Sequence, residues 1–212
     1  MRSNTLSIQT RGSLPLKLAL MMTLARVVIS PFFIFIYLKG DVLGISAKAL
    51  PLVLIGVLAV SELSDILDGY IARKWNQVTE LGKILDPMAD SISRISVFLS
   101  FTQGLVQLPL LLVLVFFYRD VFISLLRTLC AMKGFTLAAR TSGKIKAVIQ
   151  AIAAFSVLGL MACQAYEIIS LEVFQSISFL VVAAAAAYTV FSGIEYIKAN
   201  SSFIKQAWTK SA

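Results

Sequence analysis

The chain has 212 residues, of which 58% are hydrophobic and only 14% charged, with a mean hydropathy of +0.87 and a formal net charge of +8. Those values lie far outside the range of soluble domains, so the chain reads as an all-α, polytopic membrane protein with no separate soluble domain. At ~20 residues per span it holds about six membrane-crossing helices with short loops, and the basic excess of such a chain is a topological signal and an attraction to anionic lipid, not to nucleic acid.

In chain order, residues 1–16 are polar and basic, lack a cleavage-site pattern after a short apolar core, and are expected to lie along the cytoplasmic surface. The first span, 18–38, contains Thr23, Arg26 and Pro31, and an arginine inside an apolar helix asks for an anion or an acidic partner. The second, 49–71, ends in a run of acids, Glu62, Asp65 and Asp68, and the role of Glu62 stays open. A short polar link carries Trp75, an interfacial anchor, and Thr79, placed to cap the next helix. The third span, 81–103, opens with Asp86, Pro87 and Asp90. The fourth runs to residue 132 and holds Tyr118, Arg119, Asp120 and Arg127, which must face the protein interior or water.

A loop at 133–142 leads into the fifth span, which opens with Arg140, Gly143, Lys144 and Lys146 and ends near residue 164. Lys144, beside a glycine at a helix start, is suited to a phosphate. The sixth span is 171–197, where the alanine run 183–187 predicts close helix packing, and a basic tail, 199–212, follows. Cys130 and Cys163 lie in different apolar stretches without metal or redox spacing and read as buried thiols. The basic residues collect in alternate loops, so the positive-inside rule puts both termini on the cytoplasmic side of the cytoplasmic membrane.

The stretch from Asp65 to Asp90 carries the chemistry. Asp65 and Asp68 are related by i,i+3 and Asp86 and Asp90 by i,i+4, so each pair shares one face of its helix, and the short link makes the two helices antiparallel neighbours. An uncompensated carboxylate at bilayer depth costs several kcal/mol, so four together need a shared cation or a wet cavity. An all-oxygen site suits a hard divalent ion, Mg²⁺ or Mn²⁺, and two ions can share four aspartates. Gly69, Gly82 and Ala72 leave room beside the carboxylates, and Arg73 supplies a fork of donors for phosphate oxygens.

The pattern D-x-x-D-G-x-x-A-R followed by G-x-x-x-D-x-x-x-D, filled here by Asp65, Asp68, Gly69, Ala72, Arg73, Gly82, Asp86 and Asp90, resembles the signature of the CDP-alcohol phosphatidyltransferase family. The resemblance implies a six-helix membrane enzyme with two divalent ions that moves a phosphatidyl or phosphoalcohol group from a CDP-activated donor to an alcohol and releases CMP. It implies Asp65, Asp68 and Asp86 as metal ligands, Asp90 as the base toward the acceptor hydroxyl and a further metal contact, and Gly69, Ala72, Arg73, Thr79, Gly82 and Thr23 around the CDP-lipid.

The T-L-x-R element at Thr23 to Arg26, the link ending in Thr79 and the G-K-I-K stretch at Gly143 to Lys146 resemble the phosphatidylglycerophosphate synthases of that family. That implies CDP-diacylglycerol and glycerol 3-phosphate as substrates, with Arg119, Arg140, Lys144 and Lys146 as the pocket for the acceptor phosphate, and a homodimer is expected. One departure bears on the acceptor: those synthases commonly carry D-K-x-L at the last aspartate, where this chain has Ser91 and, three residues on, Arg94. Inositol phosphate, serine or choline are the alternative acceptors. A membrane prenyltransferase also uses aspartate clusters with Mg²⁺ but lacks the D-G-x-x-A-R core, and an ion transporter would spread its acids across the membrane depth.

Overall fold

Long apolar runs broken by short polar segments become helices whose ends fall where turn chemistry begins. The computed structural model describes residues 13–74, 80–132, 134 and 140–204, and within the helices it describes no side chains for 13–24, 65, 68–74 and 80–86. The described residues form six α-helices and no strand: α1 (Ser13–Lys39), α2 (Leu50–Lys74), α3 (Glu80–Ser100), α4 (Leu110–Met132), α5 (Thr141–Ala165) and α6 (Leu171–Ala199). The fold is all-α. Residues 1–12, most of the loop at 133–139 and the tail from 205 lie outside the described residues.

The boundaries differ from the expected spans in several places: α2 runs on to Lys74, three residues past its expected end, and α6 to Ala199. α1 begins at Ser13, inside the segment expected on the membrane surface, and α3 stops at Ser100, three residues early. There the hydroxyls of Ser100 and Thr102 donate to the carbonyls of Val97 and Leu99, at 2.7 and 2.8 Å, and Gly104 and Gln107 take positive φ values of 65° and 51° that no helix accommodates. At the start of α6, Ser170 caps the helix by accepting from the Val173 amide at 3.3 Å.

Successive helices run in opposite directions, because alternate loops meet at one end. The Tyr37 hydroxyl, at the close of α1, donates to the Gln103 carbonyl of the α3–α4 turn at 2.9 Å. Gln175 of α6 donates to the Leu105 carbonyl of the same turn at 2.8 Å, and the Lys48 ammonium lies 5.6 Å from the Tyr166 ring centre. At that end Phe33, Tyr37, Phe98, Phe101 and Phe116 form an aromatic floor, with ring centres 4.7 to 6.5 Å apart. α5 packs against α6, and small side chains, Ala153 and Ala154 of α5 and Ala185 and Ala186 of α6, are buried in the core.

The outer surface is apolar. Phe32 of α1, Ile66 of α2, Ile92 of α3, Leu111 of α4, Val148 of α5 and Leu180 of α6 are all exposed. By length and hydropathy α5 and α6 are each apolar enough to cross a bilayer, and among the described residues α2 contributes a shorter apolar segment, Leu50–Ser64. Charges at Asp86, Asp90 and Arg94 in α3 and at Arg119, Asp120 and Arg127 in α4 interrupt the corresponding runs. Cys130 is buried, Cys163 half-buried, and both are free thiols.

Candidate active site

α2 carries Asp65, Asp68, Gly69, Ala72 and Arg73, and α3 carries Gly82, Asp86 and Asp90. The Ser61 and Ser93 hydroxyls lie 3.4 Å apart, and Arg94 Nη2 lies 3.6 Å from Glu62 Oε2. With only residues 75–79 joining the two helices, these contacts make an antiparallel hairpin in which Ser61 is level with Ser93. Followed along the helices, that register sets Asp68 level with Asp86 and Asp65 within one residue of Asp90. The side chains of Thr23, Asp65, Asp68, Ala72, Arg73 and Asp86, and the surroundings of Gly69 and Gly82, lie outside the described residues, and Thr79 does so entirely.

Asp90 is 29% exposed and is held from two sides. Arg94, one turn along α3, places Nη1 2.9 Å from Asp90 Oδ2, and Arg26 of α1 places Nη1 3.8 Å from Oδ1. Arg26 is 2% exposed, so the arginine that the sequence left in need of an acidic partner finds it in Asp90. Arg94 spans Asp90 and Glu62, which gives Glu62 the structural role the sequence left open.

A second cluster joins α3, α4, α5 and α6. The Lys146 ammonium donates to both oxygens of Asp120, at 2.7 and 2.8 Å, Arg119 Nη1 donates to Oδ1 at 3.0 Å, and the Ser91 hydroxyl donates to Oδ2 at 3.2 Å. Arg119 Nη2 donates to the Ser192 hydroxyl at 3.1 Å. Glycines make room for this arginine: a Cβ on Gly193 would lie 3.2 Å from Arg119 Cγ, and one on Gly143 would lie 3.8 Å from Nη2. Nearer the α5 start, Arg140 Nη2 lies 2.8 Å from Glu195 Oε1, while the Ser142 hydroxyl donates to Oε2. Arg127 Nε donates to the Tyr196 hydroxyl at 3.1 Å.

Of the four residues predicted for an acceptor phosphate, Arg119 and Lys146 therefore meet on one buried carboxylate, Arg140 sits on Glu195 one turn away, and Lys144 is exposed beside them. The cluster is completed by Asp120 as its centre and by Ser91, both noted in the sequence without this role, and by Ser192 and Glu195, which the sequence reading did not single out. The available signal was a lone acid inside the 23-residue helix α4 and the polar group Ser192, Gly193 and Glu195 near the end of an otherwise apolar α6.

Residues 16–192 match the family described as CDP-alcohol phosphatidyltransferase. A Bacillus subtilis (strain 168) protein named CDP-diacylglycerol–glycerol-3-phosphate 3-phosphatidyltransferase is 33% identical over 189 residues, covering 86% of this chain and 94% of its own. A Rickettsia typhi protein of the same name is 29% identical over 184 residues, covering 86% and 96%. A cardiolipin synthase (CMP-forming) of Streptomyces coelicolor is 37% identical over 99 residues, covering 47% of this chain and 44% of its own. The family match takes in both helices of the aspartate hairpin and, as far as residue 192 of α6, the helices of the second cluster, and the chain belongs to the CDP-alcohol phosphatidyltransferase family.

Proposed function

We propose that this enzyme transfers the phosphatidyl group of CDP-diacylglycerol to glycerol 3-phosphate and releases CMP. The observation that carries the reading is the hairpin register, which sets two aspartates of α2 within one residue of the level of two of α3 in a chain that matches 3-phosphatidyltransferases over most of its length. Asp65, Asp68 and Asp86, with Asp90, supply carboxylate oxygens alone, a donor chemistry that fits Mg²⁺ or Mn²⁺ and that two ions can share. Such ions, when bound, neutralise the diphosphate of the donor and favour departure of CMP.

Everything else falls to the chain. Arg73, with Gly69, Ala72, Thr79, Gly82 and Thr23, binds the CDP-lipid. Arg119, Arg140 and Lys144 bind the acceptor phosphate, with Lys146 behind them. Asp90, oriented by Arg94 and Arg26, takes the acceptor hydroxyl proton as that oxygen bonds to the lipid-linked phosphorus and the bond to CMP breaks. Positioning is the main contribution the protein makes to such a transfer.

The same reading places the protein in the cytoplasmic membrane with six spans. Large apolar side chains face outward on every helix, a pattern that a water-exposed bundle does not tolerate over so wide an area. Basic residues crowd the end with the termini, which supports a cytoplasmic side for the termini and the active site. A homodimer is part of the proposal on the family resemblance alone.

A second acceptor is favoured by one feature. Where the phosphatidylglycerophosphate synthases carry a lysine after the last aspartate, Ser91 here contacts Asp120, and Arg94 grips the base itself. The purified enzyme with CDP-diacylglycerol and Mg²⁺ or Mn²⁺ is therefore offered glycerol 3-phosphate, inositol phosphate, inositol, serine and choline separately while CMP release is followed. Turnover with glycerol 3-phosphate is expected. Release of CMP only with serine or an uncharged alcohol rejects it in favour of another branch of the family.

A further inference from the structure

Asp120 has 5% of its side chain exposed and Lys146 has 7%, yet nothing in the packing calls for charge at this depth. Replacing a buried ion pair by apolar residues of similar volume is often neutral or stabilising, so the pair is poor evidence for a stabilising role. Its geometry suggests another. Each Asp120 oxygen accepts two hydrogen bonds, Oδ1 from Lys146 and Arg119, Oδ2 from Lys146 and Ser91. The carboxylate is saturated and cannot turn without breaking several bonds.

The two cations on it are used differently. Lys146 is buried and spends its ammonium on both oxygens, so it holds Asp120 in place. Arg119 gives one Nη1 contact to Asp120 and one Nη2 contact to Ser192, while its Nε has no hydrogen-bond partner among the described residues. A guanidinium fixed at two corners with donors to spare is prepared for an anion with several oxygens. Two cations against one carboxylate also leave the cluster one positive charge in excess, the sign that a phosphate requires.

Ser91 adds the link to the chemistry. It directly follows Asp90, so the carboxylate that orients Arg119 is also bonded to the turn of α3 that carries the base. A lysine at this position would bring a further ammonium to Asp120 and compete with Lys146 and Arg119.

We propose that Asp120 is a positioning residue for the acceptor: its carboxylate fixes the Arg119 guanidinium for the acceptor phosphate and, through Ser91, holds it in register with the turn that carries Asp90. The proposal rests on the phosphorylated acceptor put forward above. It assigns Lys146 an indirect part, as the anchor of the anchor.

The test compares wild type with Asp120→Asn, with the charge-free pair Asp120→Leu/Lys146→Met, and with Ser91→Ala, measuring melting temperature and both substrates' KM and kcat. Asp120→Asn is expected to raise KM for glycerol 3-phosphate by about tenfold, the scale of one charge-assisted contact, and to leave KM for CDP-diacylglycerol within about twofold. The charge-free pair is expected to melt near wild type while its acceptor KM stays raised by about tenfold or more. A merely structural ion pair behaves otherwise: the charge-free pair would then restore the acceptor KM along with the melting temperature, and that outcome overturns the proposal. Ser91→Ala removes one hydroxyl and leaves the packing intact, so it decides the matter if the double variant does not fold. It should lower kcat by about tenfold, the loss expected for one hydrogen bond to a charged group, with acceptor KM little changed, and an unaltered kcat counts against the link. Wild-type turnover of uncharged alcohols alone would remove the acceptor reading and the proposal together. Turnover of glycerol 3-phosphate with an unmoved acceptor KM in Asp120→Asn would remove the proposal alone.

Discussion

Asp90 shares its carboxylate between Arg94 and Arg26, and this bears on the part it can take. A carboxylate held at 2.9 Å by its own helix and at 3.8 Å by α1 has its direction fixed before any substrate arrives, which suits a group that must meet an acceptor hydroxyl. α2 and α3 hold Glu62, Asp65, Asp68, Glu80, Asp86 and Asp90 against Arg73, Lys74, Lys83 and Arg94, with Arg26 added from α1, and the proposed divalent ion would relieve the negative charge left over. Asp68→Asn, which keeps the size and removes the charge, is expected to lower activity by about two orders of magnitude or more, since the charge stabilisation at stake is several kcal/mol. Helix content and extraction behaviour should be unchanged. Most of the activity surviving in Asp68→Asn, or activity indifferent to a chelator, would dispose of the divalent-metal reading.

Among the elements, the meeting of α4 with α6 depends on Gly193, whose missing Cβ leaves space for the Arg119 stem. Gly193→Ala gains helix propensity of about 1 kcal/mol and loses a similar amount to a contact tighter than most Cβ atoms tolerate. Thermal stability should therefore stay within about 1 kcal/mol of wild type. The displaced arginine should show itself instead as a rise of several-fold in KM for the acceptor, and an unchanged KM would mean that Arg119 absorbs the methyl without moving its fork. At this scale the sequence was a good guide to what one helix holds. The helices fall where the apolar runs lie, and the i,i+3 and i,i+4 spacing of the aspartates is a local property that needs no partner to be read. Choices between helices were not legible. That Arg26 would reach Asp90, that Glu62 would meet Arg94, or that Lys146 would turn inward to Asp120 while Lys144 stays exposed depends on the packing of segments far apart in the chain. The early end of α3 was missed for a related reason, because Phe98 and Phe101 extend the apolar run into a turn whose shape is set by Gly104 and by the Tyr37 contact with Gln103.

Taken whole, the molecule has an apolar exterior, a polar half toward the termini and an aromatic half toward the α3–α4 turn. Its orientation is open to direct measurement after Cys130 and Cys163 are replaced. A cysteine introduced at Asn76 should react with an impermeant maleimide from the cytoplasmic side only, and one at Ile45 from the opposite side only. The reverse labelling would invert the assignment of both termini. Phe33, Phe98, Phe101 and Phe116 are all buried, so among the described residues an apolar floor separates the polar half from the far end of the bundle. In the proposed enzyme, donor, acceptor, CMP and lipid product must then pass through a single mouth. Each new phospholipid accordingly stays in the leaflet that supplied its precursor, and filling the other leaflet becomes the task of a separate flipping activity.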